Sequence, residues 1–443
     1  MIRWPRTLSV LALILAGVCS GLRADDAAGV KAARELFNLW SAGKNDEVVA
    51  RSEEKMRAAM GPQKLAETWA MVEFQYGKYV SEQAVEEIPA EGLTAVRFTL
   101  RFERATLKIR FVLTKDNQLT GLWFDAVEPV KDDRLPPYAT KDAFRQEELT
   151  LRCGEYELPA ILTLPAGGAK ELPAVVFVHG SGPHDADETI GPNKVFRDLA
   201  CGLAANGVAS LRYQKRTQKY GANIKPEKLT LEWEVIDDAC AAAALLRARP
   251  EISPQRVYIL GHSMGGFASP FIAQRDGKLA GIIMMAANAR PACDLVEDQV
   301  NYLIHLDGQV SDDEQRQLEQ VHKATAAIRA GRPDEAGEPL LGAPNRYWAD
   351  IQARDNVAAA MRLELPILIL QGGRDYQVTK KDFDIWQAKM GSRPNVTLQL
   401  FDDLNHLMIA GEGPSSPEEY GKAGFVAEKV VSRIAAWIRE KRQ

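Results

Sequence analysis

The sequence predicts an α/β protein: a doubly wound, mostly parallel sheet of eight strands with a helical insertion, preceded by a small α+β domain. Three observations predict it. From residue 147 onward, eight short apolar runs alternate with helix-patterned segments, the rhythm of a parallel sheet buried on both faces. Between residues 27 and 130, helical patterns give way to stretches that alternate apolar and polar, as in an antiparallel meander. Third, the run Val257-Tyr258-Ile259-Leu260-Gly261-His262-Ser263-Met264-Gly265-Gly266 carries a β-branched apolar stretch straight into a serine flanked by glycines.

At the N-terminus, Arg3 and Arg6 precede an apolar run over residues 8–18, and small residues follow up to Ala24, ahead of Asp25 and Asp26. This is the layout of a secretory signal peptide over residues 1–24, and it predicts export to the periplasm or beyond. The run has about half the length needed to span a bilayer, so no stable membrane insertion is expected once the leader is gone. A lipid anchor on Cys19 is disfavoured by Val18, which stands where a small residue would be required. Losing residues 1–24 removes Arg3, Arg6 and Arg23 and no acid, leaving 52 basic against 60 acidic side chains. A chain with eight excess negative charges suits neither nucleic acid nor an anionic membrane. Apolar and charged fractions of 46% and 26% are those of an ordinary globular protein, and 443 residues are enough for two cores.

In the small domain, residues 27–130, helices are predicted over 32–42, 46–56 and 62–74, then strands over 79–88, 93–102, 105–113 and 119–124. Residues 131–146, with Pro136 and Pro137 among charges, read as a linker. The larger domain, 147–443, has strand signals at 149–153, 156–164, 174–179, 208–213, 257–261, 281–287, 367–371 and 397–401. An insertion over residues 288–363 carries amphipathic helix patterns at 294–305, 312–329 and 347–362. An insertion there would cover the carboxyl ends of the strands, where open α/β sheets bind ligands. Tyr302, Tyr347, Trp348 and Met361 are candidates to line a pocket beneath it, although aromatics at helical spacing also serve plain packing. Cys153, Cys201, Cys240 and Cys293 lie far apart without Cys-x-x-Cys spacing and predict free thiols. No paired Cys or His spacing suggests a metal, and no cofactor is predicted.

Glycines on both sides of Ser263 fit a strained strand-to-helix turn that exposes the serine hydroxyl, with a helix behind it over 265–274. A serine becomes a nucleophile when a histidine takes its proton and a carboxylate orients that histidine. In a strand–elbow–helix arrangement these partners follow in the order serine, acid, histidine. Of six histidines only His406 lies beyond the last strand signal, and Asp375 ends the run Pro366-Ile367-Leu368-Ile369-Leu370-Gln371-Gly372-Gly373-Arg374-Asp375. Asp294 is the second choice for the acid. Ala174-Val175-Val176-Phe177-Val178-His179-Gly180-Ser181-Gly182-Pro183 ends a buried strand in a glycine turn, so the N–H groups of Ser181 and Met264 are the predicted oxyanion donors. His179 precedes the serine and reads as a support for that turn. Gly180 and Lys215 are further candidates to touch substrate.

These residues resemble the α/β-hydrolase superfamily, and more narrowly secreted bacterial serine esterases related to dienelactone hydrolases and serine aminopeptidase-like hydrolases. The resemblance rests on His179-Gly180-Ser181-Gly182-Pro183 with Asp185, Asp187 and Glu188 behind it, Arg212-Tyr213-Gln214-Lys215-Arg216, the elbow, Gly372-Gly373-Arg374-Asp375 and Asn405-His406. It implies the α/β-hydrolase fold, a small-molecule ester substrate, and Ser263, Asp375 and His406 as the triad. Gln214 and Thr217 depart from the Arg-Tyr-Asp-Lys-Arg-Gly usual in relatives. The N-terminal domain is similar in pattern to the nuclear transport factor 2 fold that precedes hydrolase domains in related bacterial proteins. A peptidase or an acyltransferase would use the same triad. A non-catalytic binding protein would gain nothing from holding the three residues in this order.

Overall fold

The computed structural model describes residues 28–130 and 132–441, so the leader predicted over 1–24 lies outside the described residues. The chain divides into two compact units, the first ending at Asp133 and the second beginning at Arg134. In the first, helices α1 (Ala28–Ser41), α2 (Asn45–Ala50), α3 (Glu54–Ala59) and α4 (Pro62–Tyr76) precede strands β1 (Tyr79–Ile88), β2 (Thr94–Phe102), β3 (Ala105–Leu113) and β4 (Leu119–Pro129). The strands pair antiparallel in sequence order. The single helix expected over 46–56 is broken into α2 and α3. Backbone bonds from Glu53 to Leu119 (2.8 Å) and from Leu119 to Arg51 (2.9 Å) pull that segment onto β4, and the buried Ser52 hydroxyl donates to the Val48 carbonyl. Here tertiary pairing overrides helical periodicity. Phe37, Trp40, Trp69, Phe98, Phe102 and Phe111 fill the core with stacked, tilted and edge-on ring contacts.

The second unit is built on an eight-stranded sheet of β5 (Phe144–Cys153), β6 (Tyr156–Pro165), β7 (Leu172–Val178), β10 (Ala209–Tyr213), β11 (Ile252–His262), β12 (Gly281–Met285), β13 (Ile367–Gly372) and β14 (Val396–Phe401). A two-stranded ribbon, β8 (Thr189–Ile190) and β9 (Asn193–Lys194), interrupts the connection after β7. The helices are α5 (Val195–Ala205), α6 (Arg216–Tyr220), α7 (Asp237–Arg247), α8 (Met264–Asp276), α9 (Ala292–Ile304), α10 (Asp312–Arg329), α11 (Asn345–Gln352), α12 (Asn356–Met361), α13 (Lys380–Met390), α14 (Pro417–Tyr420) and α15 (Glu428–Glu440). Strand order is β14-β13-β12-β11-β7-β10-β6-β5, with β6 antiparallel to both neighbours and the other pairings parallel. The eight strands predicted from apolar runs therefore form one mostly parallel sheet. β7, β11, β12 and β13 are almost wholly buried, which is why they read as continuous apolar runs.

After β7 the chain steps outward to β10, then crosses to β11 on the other side of β7. That reversal leaves a crevice at the carboxyl ends of β7 and β11, the place where open α/β sheets accept ligands. The register pairs Gly261 with Val178, so the serine turn and the His179–Gly182 turn leave the sheet side by side. The predicted helical insertion between β12 and β13 is present as α9, α10, α11 and α12. The third helix expected there is split in two, and the Asp355 side chain caps α12 at the Ala358 N–H (2.8 Å). Cys293, Val296, Val300, Val321, Ala324 and Ile328 give the insertion its own apolar core.

Glycine is sterically required in the elbow. A Cβ on Gly261 would stand 2.0 Å from the Gly265 carbonyl oxygen, and one on Gly265 would stand 2.1 Å from the Val178 carbonyl oxygen. Both clashes are with backbone, so strand, turn and helix would have to separate. Gly265→Ala should lower stability by about 3 kcal/mol, read from the midpoint of urea unfolding. Gly221→Ala, where a Cβ meets nothing within 4 Å, should move that midpoint by less than about 0.5 kcal/mol.

Candidate active site

Ser263 sits on the turn between β11 and α8 with φ 53° and ψ −117°, a strained conformation for a residue with a Cβ. Its N–H donates to the Met285 carbonyl (2.8 Å), which fixes the turn on the neighbouring strand, while the side chain is half-buried. Met264 is the first residue of α8, so its N–H has no helical acceptor and faces the crevice end of the helix.

The carboxylate of Asp375, 4% exposed, is fully satisfied. One oxygen accepts the N–H groups of Gln377 (2.8 Å) and Val378 (2.9 Å); the other accepts Gln371 Nε2 (3.1 Å) and His406 Nδ1 (2.7 Å). Two glycines bring acid and imidazole together. A Cβ on Gly372 would lie 2.5 Å from the Leu404 carbonyl oxygen, and one on Gly373 would lie 2.7 Å from Asp402 Cα. The loop after β14 is shaped by Asn405, whose side-chain oxygen accepts the N–H groups of Leu407 (3.0 Å) and Ile409 (3.1 Å), and it closes at the Leu404–Ala410 bridge. With Nδ1 bound to the carboxylate, Nε2 of His406 is the nitrogen left to take a proton. Among the described residues neither it nor the Ser263 hydroxyl has a hydrogen-bond partner, so both are available to substrate. Such bonds commonly tighten only when substrate binds.

The turn after β7 reaches the same spot. A Cβ on Gly180 would be 3.2 Å from Ser263 Cβ, and Ser181 Oγ lies 3.7 Å from the Met264 sulfur. The Gly180 N–H is taken by Glu188 (2.7 Å), while the Ser181 N–H has no acceptor among the described residues. His179 lies beneath, bonded through Nε2 to the Asp185 carbonyl (3.0 Å), and burial pushes its imidazole down to about 3, so it stays neutral.

The remaining sequence candidates separate. Lys215, expected at the substrate, is 2% exposed, and its ammonium bonds to the carbonyls of Gly180 (2.8 Å) and Gly182 (3.0 Å) and to Glu234 (3.1 Å). Every proton it carries has an acceptor within the protein, so it props the turn from below. Trp348 donates to the Leu340 carbonyl (2.7 Å) and packs inside the insertion. Tyr302 donates to the Ser415 carbonyl (2.7 Å) and stacks on Tyr376, which stacks in turn on Tyr420. The aromatic that reaches the elbow is Tyr347, whose hydroxyl donates to Glu234 and lies 3.0 Å from the Met264 sulfur. Met361 is 45% exposed, and Asp294, the second-choice acid, pairs with Arg329 across α9 and α10 (2.6 Å). Sequence reasoning missed Glu234 as part of the site, and it quoted Glu188 and Asn405 among the motifs of the resemblance without giving either a role. Their signal was weak: acidic or amide residues near glycine turns, whose burial only the folded chain reveals.

A serine on a strained strand-to-helix turn and an imidazole oriented by a buried carboxylate, both carried by loops at the carboxyl ends of a doubly wound sheet, define a hydrolase-type α/β protein. The chain belongs to the alpha/beta hydrolase family, whose profile matches residues 175–423. Residues 33–122 match a family described only as a protein of unknown function, DUF3887. Esterase EstD of Thermotoga maritima is 40% identical over 386 residues, 87% of this chain and 89% of that protein. Among solved structures, Est1E from Butyrivibrio proteoclasticus aligns with a TM-score of 0.44 at 16% identity, over 66% of this chain and 98% of its own. An esterase from Pyrococcus furiosus aligns with a TM-score of 0.45 at 12% identity, over 70% and 96%.

Removing the cation from beneath the turn tests its structural role. Lys215→Met strands the buried Glu234 carboxylate, so it should cost about 3 to 5 kcal/mol in urea unfolding, part of which the double variant Lys215→Met with Glu234→Gln should recover.

Proposed function

We propose that this protein hydrolyses carboxylic esters of small molecules through an acyl-enzyme on Ser263. The observation that carries the reading is the buried 2.7 Å bond between Asp375 and His406 Nδ1, at the sheet edge where the Ser263 turn emerges. The 40% identity to an esterase over most of both chains supports esters as the substrate class. His406 Nε2 takes the Ser263 proton as Oγ attacks the ester carbonyl, and the carboxylate stabilises the imidazolium that forms. The N–H groups of Ser181 and Met264 receive the negative charge on the tetrahedral oxygen. His406 then protonates the leaving alcohol, and water, activated the same way, releases the acid. The layout of residues 1–24 supports work outside the cytoplasm.

Hydrolysis of p-nitrophenyl esters, run beside aminoacyl anilides, tests the reading. Esters should be cleaved, Ser263→Ala should abolish nearly all turnover, and Asp375→Asn, which permits the wrong tautomer, should lower kcat by about four orders of magnitude. A fluorophosphonate should label Ser263 in the wild type. Cleavage of anilides alone would overturn the ester assignment, and labelling elsewhere would overturn the nucleophile.

A further inference from the structure

A second acid–imidazole pair lies directly beneath the first, and the hydrolytic mechanism above makes no use of it. His262, the residue before Ser263, is 1% exposed, and Glu188 is wholly buried. His262 Nδ1 lies 2.9 Å from Glu188 Oε2, and its Nε2 lies 3.0 Å from the backbone carbonyl oxygen of His406. The other oxygen of Glu188 accepts the Gly180 N–H at 2.7 Å. The imidazole rings of His262 and His406 are 4.8 Å apart between centroids. Glu188 adopts φ 49°, a strained backbone for a residue other than glycine, in order to reach this place.

A neutral imidazole has one N–H, yet both nitrogens of His262 face oxygen acceptors. With Glu188 ionised, satisfying both calls for a second proton on the ring. We infer that Glu188 and a doubly protonated His262 form a charged clamp that positions the catalytic groups, tying the Gly180–Ser181 turn, the serine elbow and the loop bearing His406 into one unit. The clamp rests on the hydrolase reading, because only there do those three segments have to be held in register.

The electrostatic setting agrees. Burial alone would push His262 down, but the Glu188 charge, the bond to it and the bond to the His406 carbonyl outweigh burial and leave it raised. Burial would raise Glu188, but the charge of His262 and its hydrogen bond take it down to about 2. The other groups facing the pair are Asp375 on the His262 side, and His179 and His184 on the Glu188 side; burial pushes both of these imidazoles toward the neutral form. Lys215 lies beyond, bonded to the carbonyl of Gly180. A raised histidine contributes its pairing below its ordinary value and loses it as pH climbs through the raised one, whereas the depressed glutamate fails only in strong acid. The clamp therefore holds below the raised value of His262 and opens as pH climbs through it.

Glutamine at position 188 separates geometry from charge. Its oxygen can still accept from Gly180 and its amide can donate to Nδ1, so a neutral His262 would keep both bonds. Alanine keeps neither. The experiment combines 15N spectra of histidine-labelled full-length protein at pH 7, with His262 assigned by its loss in His262→Gln, and steady-state hydrolysis of p-nitrophenyl acetate from pH 6 to 10. The wild type should show His262 protonated on both nitrogens and an alkaline fall in kcat. Glu188→Gln should show one protonated nitrogen, a kcat about threefold lower and no alkaline fall. Glu188→Ala should lose about a hundredfold in kcat with KM within about twofold, as expected for reacting groups displaced by about an ångström. A neutral His262 in the wild type would overturn the clamp without any variant having to fold, and so would an equal loss of kcat in Glu188→Gln and Glu188→Ala. Wild type without ester hydrolysis would instead remove the hydrolase reading, while the spectra would still report on the pair.

Discussion

The structure of the second unit depends on satisfying one carboxylate in a dry place. Asp375 is almost wholly buried, and an unpaired carboxylate there would cost several kcal/mol. Four donors from three short segments converge on it, and they dictate the local sequence. Gln371 has to end β13 pointing inward, where its amide also donates to the Val378 carbonyl (2.7 Å). Gly372 and Gly373 must be glycine because the His406 loop passes where their side chains would be. Residues 377 and 378 must turn so that both N–H groups face back toward the acid. The fourth donor, His406, is the base of the proposed mechanism.

Below this pair the site stands on further buried charge. Lys215 with Glu234 supports the carbonyls of the Gly180–Gly182 turn, Arg216 pairs with Asp238 between the rings of Tyr156 and Trp233, and Glu188 with His262 joins that turn to the loop bearing His406. Buried ion pairs add little net stability compared with apolar packing of the same volume, while losing one member is costly. Their placement therefore makes sense as a specification of geometry. Gly180 illustrates it: its carbonyl is held by Lys215, its N–H by Glu188, and its missing side chain leaves room for Ser263. The Ser181 N–H, which the proposed mechanism needs, has no acceptor among the described residues.

The insertion between β12 and β13 joins the same system through one residue. Tyr347 on α11 donates to Glu234 and rests against Met264, so the helical layer contacts both the prop beneath the turn and the residue after Ser263. Burial beside a carboxylate pushes the Tyr347 hydroxyl well above its ordinary value, which keeps it a donor. Glu234 belongs to a single π-helical turn, Glu232–Ile236, an irregularity that re-aims a side chain relative to a regular helix. Hydrophobic periodicity carries no mark of such a turn, and Tyr347 was one of three aromatics on the insertion.

Much of the fold was legible because burial on both faces leaves an unbroken apolar run, and β7, β11, β12 and β13 are such runs. The elbow was legible because steric exclusion leaves only glycine, a local rule, and the order of serine, acid and histidine follows from chain direction through a parallel sheet. Long-range pairing was not legible. The break between α2 and α3, the burial of Lys215 and the meeting of Glu188 with His262 arise from segments up to 74 residues apart competing for the same polar groups. By itself the sequence determined strand, turn and candidate nucleophile, since those depend on neighbours in the chain. Only the tertiary structure decided which charges are buried and what each one holds, because the energy of a charge depends on the water that distant segments exclude.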